Sequence, residues 1–76
     1  MHLKNDINLV GFLRKIRQCK GDVLFQTEEN DILNLRSTLS GYIFASLAGR
    51  EDILYHSEII CKNKDDLELL ADFLTR

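Results

Sequence analysis

Apolar residues in the first quarter of the chain recur at a spacing of three and four residues. They stand at positions 9, 12, 13, 16 and 19, which is the stripe of an amphipathic helix. Asn5 and Asp6 precede this stripe, and both are favourable N-cap residues. Basic residues gather toward position 20, where the helix dipole favours them, and Gly21 is a natural stop. The pattern predicts a first helix between Asp6 and Gly21.

Short β-prone segments come next. Residues 22–27 form an apolar run, residues 28–31 a polar turn, and residues 32–35 a second run, so the pattern predicts a hairpin. A third strand is predicted from Ile53 to Cys61, where apolar residues at odd positions share the better core face.

Two further helices complete the pattern. The first runs from Ser37 to Leu47, with Ser37 as cap and Gly49 as stop. Gly41 lies inside it at a cost of about 1 kcal/mol relative to Ala, and such a glycine often marks close packing on a neighbour. The last helix begins at Asn63 and buries leucines up to Leu74. The order predicts an α+β fold, an open-faced β-sandwich with helices on one side of a small antiparallel sheet.

Composition narrows the class of protein. The chain has 76 residues, of which 45% are hydrophobic and 29% charged, so we expect one domain over residues 1–76. A net charge of −2 lacks the basic footprint of nucleic-acid binding. No apolar run approaches the roughly 18 residues of a membrane span, and no signal-peptide pattern is evident, so a cytoplasmic protein is expected.

Candidate chemistry is sparse. Neither His2 nor His56 pairs in sequence with a nucleophile, and we interpret His56 as a surface or partly packed histidine. Cys19 and Cys61 lack zinc-site spacing, and we favour reduced buried thiols over a disulfide between them. No glycine-rich phosphate loop or calcium-loop pattern is present. The sequence predicts neither an enzyme nor a metal or cofactor site.

The order and spacing of several segments resemble a known family. From Asn5 to Leu74 the chain resembles HPr, the histidine-containing phosphocarrier of the bacterial sugar phosphotransferase system. The resemblance is carried by Phe12-Leu13, Lys20-Gly21, Asp22-Val23-Leu24-Phe25, Leu35-Arg36-Ser37-Thr38-Leu39, Leu47 with Gly49, and Asp65-Asp66 with Leu69, Leu70 and Phe73. It implies the order β-α-β-β-α-β-α, with a very short or missing first strand at residues 1–4.

The family's phosphate-carrying histidine is missing from this chain. Aligning the first helices places Asn5 or Asp6 at the histidine position, and the arginine and proline that follow it in the family are also replaced. An asparagine cannot accept a phosphoryl group as an imidazole nitrogen does. The resemblance therefore implies a regulatory or protein-interaction domain rather than an active phosphocarrier.

A second family feature is retained. Ser37 matches the serine that a dedicated kinase phosphorylates in many Gram-positive members, and Arg36 replaces its usual basic neighbour. A plain N-cap serine is the alternative interpretation. The resemblance implies a protein partner, either a phosphotransferase-system component, a kinase or a regulator, with Ile43 and Leu47 as contacts.

Three alternatives or extensions stay open at this point. A phosphocarrier that uses His2 in an unusual geometry is one, and an unrelated α+β interaction module of convergent layout is another. A stunted first strand would also leave an open edge on the strand from Ile53 to Cys61, and open edges invite pairing with another chain. We therefore predict homodimerisation through that strand.

Overall fold

A computed structural model describes residues 1–75 and gives a mixed α+β fold with antiparallel sheets. The elements in chain order are β1 (His2–Leu3), α1 (Leu9–Ile16), β2 (Val23–Gln26), β3 (Ile32–Asn34), α2 (Thr38–Ala45), α3 (Glu51–Leu54), β4 (Glu58–Cys61), α4 (Asp65–Leu69), a 3₁₀ turn (Ala71–Phe73) and β5 (Leu74–Thr75). The expected fold class is confirmed.

The strands form two antiparallel sheets. One has the order β3-β2-β4, and the other pairs β1 with β5. The backbone N–H of Ile59 in β4 donates to the carbonyl of Met1 at 2.7 Å, so β1 lies against the outer side of β4. The very short first strand that was expected is therefore present, with β5 as a partner that the sequence pattern did not predict.

Three phenylalanines bring the helices and the main sheet together. Phe12 of α1, Phe25 of β2 and Phe44 of α2 are each fully buried. The Phe44 ring lies 5.1 Å from that of Phe25, edge to face, and 5.9 Å from that of Phe12. Such aromatic contacts add roughly 0.5–1.5 kcal/mol each beyond area burial. This cluster fixes α1 and α2 side by side over one face of the sheet.

The first helix starts later than its sequence predicts. Asn8 is the N-cap, since its side-chain oxygen accepts from the N–H of Gly11 at 3.1 Å. Asn5 and Asp6 lie in the turn before it, and Asp6 has the left-handed φ of 60°. The predicted capping by Asn5 and Asp6 is wrong, because only Asn8 has the extended backbone from which a side chain reaches the first turn.

The turn after α1 is held by a buried carboxylate. Asp66 is 2% exposed and accepts from the backbone N–H groups of Lys20 and Gly21 at 2.8 and 2.9 Å. These two hydrogen bonds hold the pKa of Asp66 below its usual range. A Cβ at Gly21 would lie 3.0 Å from the Cβ of Asn63, so the turn also requires glycine for close approach.

The strand predicted from Ile53 to Cys61 is wrong in its first half. Residues 51–54 form the helical turn α3, and only Glu58–Cys61 is extended. Glu51 and Asp52 favour a helix start, and the hydroxyl of Ser57 donates to the carbonyl of Ile53 at 2.6 Å and closes the turn that follows. Homodimerisation through this strand stays a prediction, but β4 has β2 on one side and β1 on the other.

The last predicted helix is also shorter. α4 ends at Leu69, a 3₁₀ turn follows, and Leu74 pairs with Leu3 in the β1-β5 sheet. Leu3 and Leu74 are both buried, so sheet pairing with β1 outweighs the helical spacing of the leucines at this end of the chain.

Candidate functional site

The outer surface of α2 is unusually apolar. Leu39 is 69% exposed, Tyr42 72% and Ile43 44%, whereas Phe44 on the inner side is fully buried. We call Leu39, Tyr42 and Ile43 the α2 face. The apolar side of a helix in a small domain is normally buried against another element. The α2 face is therefore an exposed apolar patch of the kind that marks an interaction site.

Ile43, a predicted partner contact, lies on this face, but Leu47, the other predicted contact, does not. In the structure Phe44 and the half-buried Leu47 supply the contacts with the core. Leu39 and Tyr42 were missed as exposed residues, because every turn of α2 offers apolar side chains and the spacing alone does not show which side faces inward.

A groove of about 210 Å³ lies between α1 and α2 beside this face, and we call it the helix groove. Its lining comprises Leu13, Arg17, Leu35, Arg36, Ser37, Thr38, Gly41, Tyr42 and Ala45. Two arginines and no carboxylate line it within the described chain. The helix groove is therefore cationic, with an apolar floor.

Ser37 is the N-cap of α2, as predicted. It has the extended φ and ψ of −76° and 133° and is exposed, and among residues 1–75 its side chain makes no capping hydrogen bond. The guanidinium of its neighbour Arg36 donates to the carbonyl of Lys20 at 3.3 Å. A phosphate on Ser37 would meet the free N–H groups of the first turn of α2 and the positive end of the helix dipole.

Asn5 and Asp6, which the resemblance aligns with the family's histidine, lie in the turn before α1, and the residue that caps the helix is Asn8. His2 lies elsewhere, in β1. Its Nδ1 is 2.8 Å from the carbonyl oxygen of Ser57, and its Nε2 is 3.6 Å from a carboxylate oxygen of Glu58. The structure brings no histidine to the α1 N-terminus within residues 1–75.

A second groove, of about 270 Å³, lies at the hairpin turn, and we call it the acidic groove. It is lined by Thr27, Glu28, Glu29, Asp31, Asp52, Ile53 and Ser57. The guanidinium of Arg50 pairs with Asp52 at 3.3 Å, and the exposed His56 is 3.8 Å from Glu28. The placement of His56 on the surface agrees with its interpretation from sequence.

The two cysteines are free thiols. Burial, together with the charge of Asp66, raises the pKa of Cys19 to about 11 and raises the pKa of Cys61 as well. Both thiols are therefore protonated and poorly nucleophilic at neutral pH. They behave as small apolar groups of the core, which agrees with the reduced state favoured from sequence.

No cluster of three or more metal-ligating side chains occurs in residues 1–75. In the same part of the chain, no helix has both the length and the apolar character needed to cross a membrane. Comparison with family models, with curated proteins and with solved structures gives no match for this chain.

Proposed function

We propose that this chain is an HPr-like regulatory domain that binds a protein partner through the α2 face and the helix groove. The observation that carries the proposal is the exposure of Leu39 and Tyr42, at 69% and 72%, directly beside two arginines. Tyrosine and arginine are the residue types that dominate binding energy at protein interfaces. The partner is a protein of the phosphotransferase system, a kinase or a regulator, in a bacterial cytoplasm.

Phosphorylation of Ser37 is the proposed means of regulation. Phosphate adds a charge of about −1.5 to −2 at the start of α2, close to Arg36 and Arg17 in the helix groove. That charge neutralises the two arginines of the groove without disturbing the core, because Ser37 is exposed. A partner would therefore distinguish the two forms.

Phosphoryl transfer is not part of the proposal. Asn8 occupies the helix start where an imidazole would be needed, and its amide is not a phosphoryl acceptor. The alternative phosphocarrier would use His2, whose Nδ1 is engaged with Ser57 and whose Nε2 faces the Glu58 carboxylate. A carboxylate at 3.6 Å repels an incoming phosphoryl group, which disfavours that alternative.

The experiment offers the chain to purified HPr kinase with ATP and locates phosphate by mass spectrometry. Phosphate on Ser37, lost in Ser37→Ala and retained in Ser46→Ala, is the expected result. Ser46 is the matched control, because it is an exposed serine at the opposite end of the same helix. An unmodified Ser37 contradicts the regulatory part of the proposal.

Incubation with enzyme I and phosphoenolpyruvate tests the phosphocarrier alternative. We expect no acid-labile phosphate on the chain. Such phosphate on His2, abolished in His2→Gln, would overturn our assignment.

An unrelated α+β interaction module is the second candidate, and the exposure of the α2 face supports it equally. Both candidates use the α2 face, so Tyr42→Ala should weaken partner binding in either case. Ile32→Ala is the control, since Ile32 is 56% exposed but lies in the edge strand β3. Binding to none of the phosphotransferase proteins, with no phosphate on Ser37, would favour the unrelated module.

A further inference from the structure

We propose that the chain associates head to tail with a second copy of itself, Tyr42 of one copy entering the acidic groove of the next. This goes beyond the proposed function, because it depends on two surfaces of this chain and not on membership of any family. The α2 face and the helix groove of one copy would thus lie against the acidic groove of the next copy.

The two surfaces lie at opposite ends of the hairpin strands. The N–H of Leu35, which lines the helix groove, donates to the carbonyl of Val23 at the start of β2. Thr27, which lines the acidic groove, follows directly after the end of β2. A strand of four residues spans about 13 Å, so the two surfaces are separated along the molecule and cannot cover each other within one copy.

The charges of the two surfaces are complementary. Arg17 and Arg36 line the helix groove, and carboxylates at positions 28, 29 and 31 line the acidic groove. The fourth carboxylate, Asp52, is already paired with Arg50. Opposite charges on facing surfaces accelerate encounter and fix the docking orientation.

The size of the Tyr42 ring is also compatible with the volume of the acidic groove. Tyr42 protrudes from α2 with 72% of its surface exposed, and the acidic groove offers about 270 Å³. A cavity of about 150 Å³ accommodates a benzene-sized ring. Ile53 and Thr27 supply contact for the ring, and the phenol O–H can donate to a groove carboxylate. One such contact would both bury the exposed ring and fill the open groove.

The contact is heterologous, because each copy uses two different surfaces. Such contacts extend into open chains unless a rotation closes them into a ring. Self-association would also cover the α2 face, so the assembled chain could not present that face to another protein. Assembly and partner binding would then compete.

Sedimentation equilibrium of the full chain tests the proposal. At about 1 mM protein and 20 mM NaCl we expect a weight-average mass well above the monomer mass of 8.8 kDa, rising with concentration. Screening of exposed charges should return the mass to that of the monomer at 500 mM NaCl. Tyr42→Ala should weaken association at least about tenfold, as expected for a central aromatic anchor.

Two neutralising variants give the sharpest result. Arg17→Gln/Arg36→Gln removes both arginines of the helix groove, and Glu28→Gln/Glu29→Gln leaves only Asp31 and the Arg50-paired Asp52 in the acidic groove, so each variant alone should be monomeric. An equal mixture should form a 1:1 dimer and nothing larger, because one intact surface remains on each variant. Glu68→Gln/Asp72→Asn is the charge-matched control on exposed positions outside both grooves, and it should assemble like the wild type. Circular dichroism confirms that each variant is folded.

A wild-type chain that stays monomeric at 1 mM and 20 mM NaCl overturns the proposal, as does a mixture that stays monomeric. Assembly unaffected by either neutralising variant overturns it too. These outcomes are distinct from failure of the proposed function, because Glu28→Gln/Glu29→Gln leaves the α2 face intact and should bind a protein partner as well as the wild type does.

Discussion

Replacing Gly41 with alanine should stabilise the protein, although glycines inside helices are often kept for close packing. Gly41 is the fourth residue of α2, and its N–H donates to the carbonyl of Ser37 at 2.9 Å. Apart from its chain neighbours and the backbone of its own helix, a Cβ built there meets no heavy atom of the described chain within 4 Å. The prediction of close packing at this glycine is therefore wrong, because the residue borders the open helix groove.

The magnitude follows from backbone entropy. Alanine in a helix interior is about 1 kcal/mol more favourable than glycine, and no contact here opposes the added methyl group. A gain of that size raises the midpoint of thermal unfolding of a domain of this length by about 4–8 °C. It is a large share of the roughly 3–5 kcal/mol expected for so small a core.

Gly21→Ala is the matched control. The same methyl group at Gly21 lies 3.0 Å from the Cβ and 3.1 Å from the backbone N of Asn63, so either the turn or Asn63 must shift. Urea unfolding followed by circular dichroism should give a higher midpoint for Gly41→Ala and a lower one for Gly21→Ala. Equal destabilisation by both substitutions would refute the reasoning, since it would mean that Gly41 is enclosed.

Three further predictions concern the core and its ionisable groups. Phe44→Ala should cost about 3–5 kcal/mol and leave the chain largely unfolded by circular dichroism, whereas Phe44→Leu should remain folded. Asp66→Asn should accelerate hydrogen–deuterium exchange of the backbone amides of Lys20 and Gly21, which donate to Asp66. The control Asp65→Asn should not. Folding lowers the pKa of Asp66. Its contribution to the free energy of unfolding is therefore complete above the ordinary pKa of an aspartate, about 3.9, and is lost as the pH falls through the pKa of the folded state. Stability measured by urea titration should therefore fall less steeply below pH 4 in Asp66→Asn. Cys19, with a pKa of about 11, should resist iodoacetamide at pH 8 until the chain is unfolded in urea, and rapid native labelling would contradict its burial.

Local patterns predict most of the elements of this fold. The stripe of α1, the hairpin of β2 and β3 and the start of α2 at Ser37 all follow from residue spacing and caps, and the structure agrees. The predicted elements are wrong where contacts between residues distant in sequence determine the local structure. Leu74 has helical spacing with the residues before it but pairs with Leu3, which is distant in sequence. The predicted strand begins at Ile53, but Glu51–Leu54 forms a helical turn stabilised by its acidic start.

The candidate site is less predictable than the fold. Ser37 is found from sequence because its role is local, at a helix start. The exposure of Tyr42 depends on which side of α2 meets Phe12 and Phe25, and spacing alone does not determine that in a helix with apolar residues on more than one side. The acidic groove joins residues of the hairpin turn with Asp52 and Ile53 of α3, so its existence also depends on tertiary packing.

The pairing of β1 with β5 has a consequence for how the protein is made. Leu3 is synthesised well before its partner Leu74, because most of the described chain lies between them. Contacts of such separation form slowly, since a long loop must be closed first. Synthesis proceeds at roughly 5–20 residues per second, so Leu3 waits seconds for its partner. During that interval Leu3, which is 2% exposed in the folded chain, lacks the strand that buries it, so the β1-β5 sheet is the last part of the fold that can form.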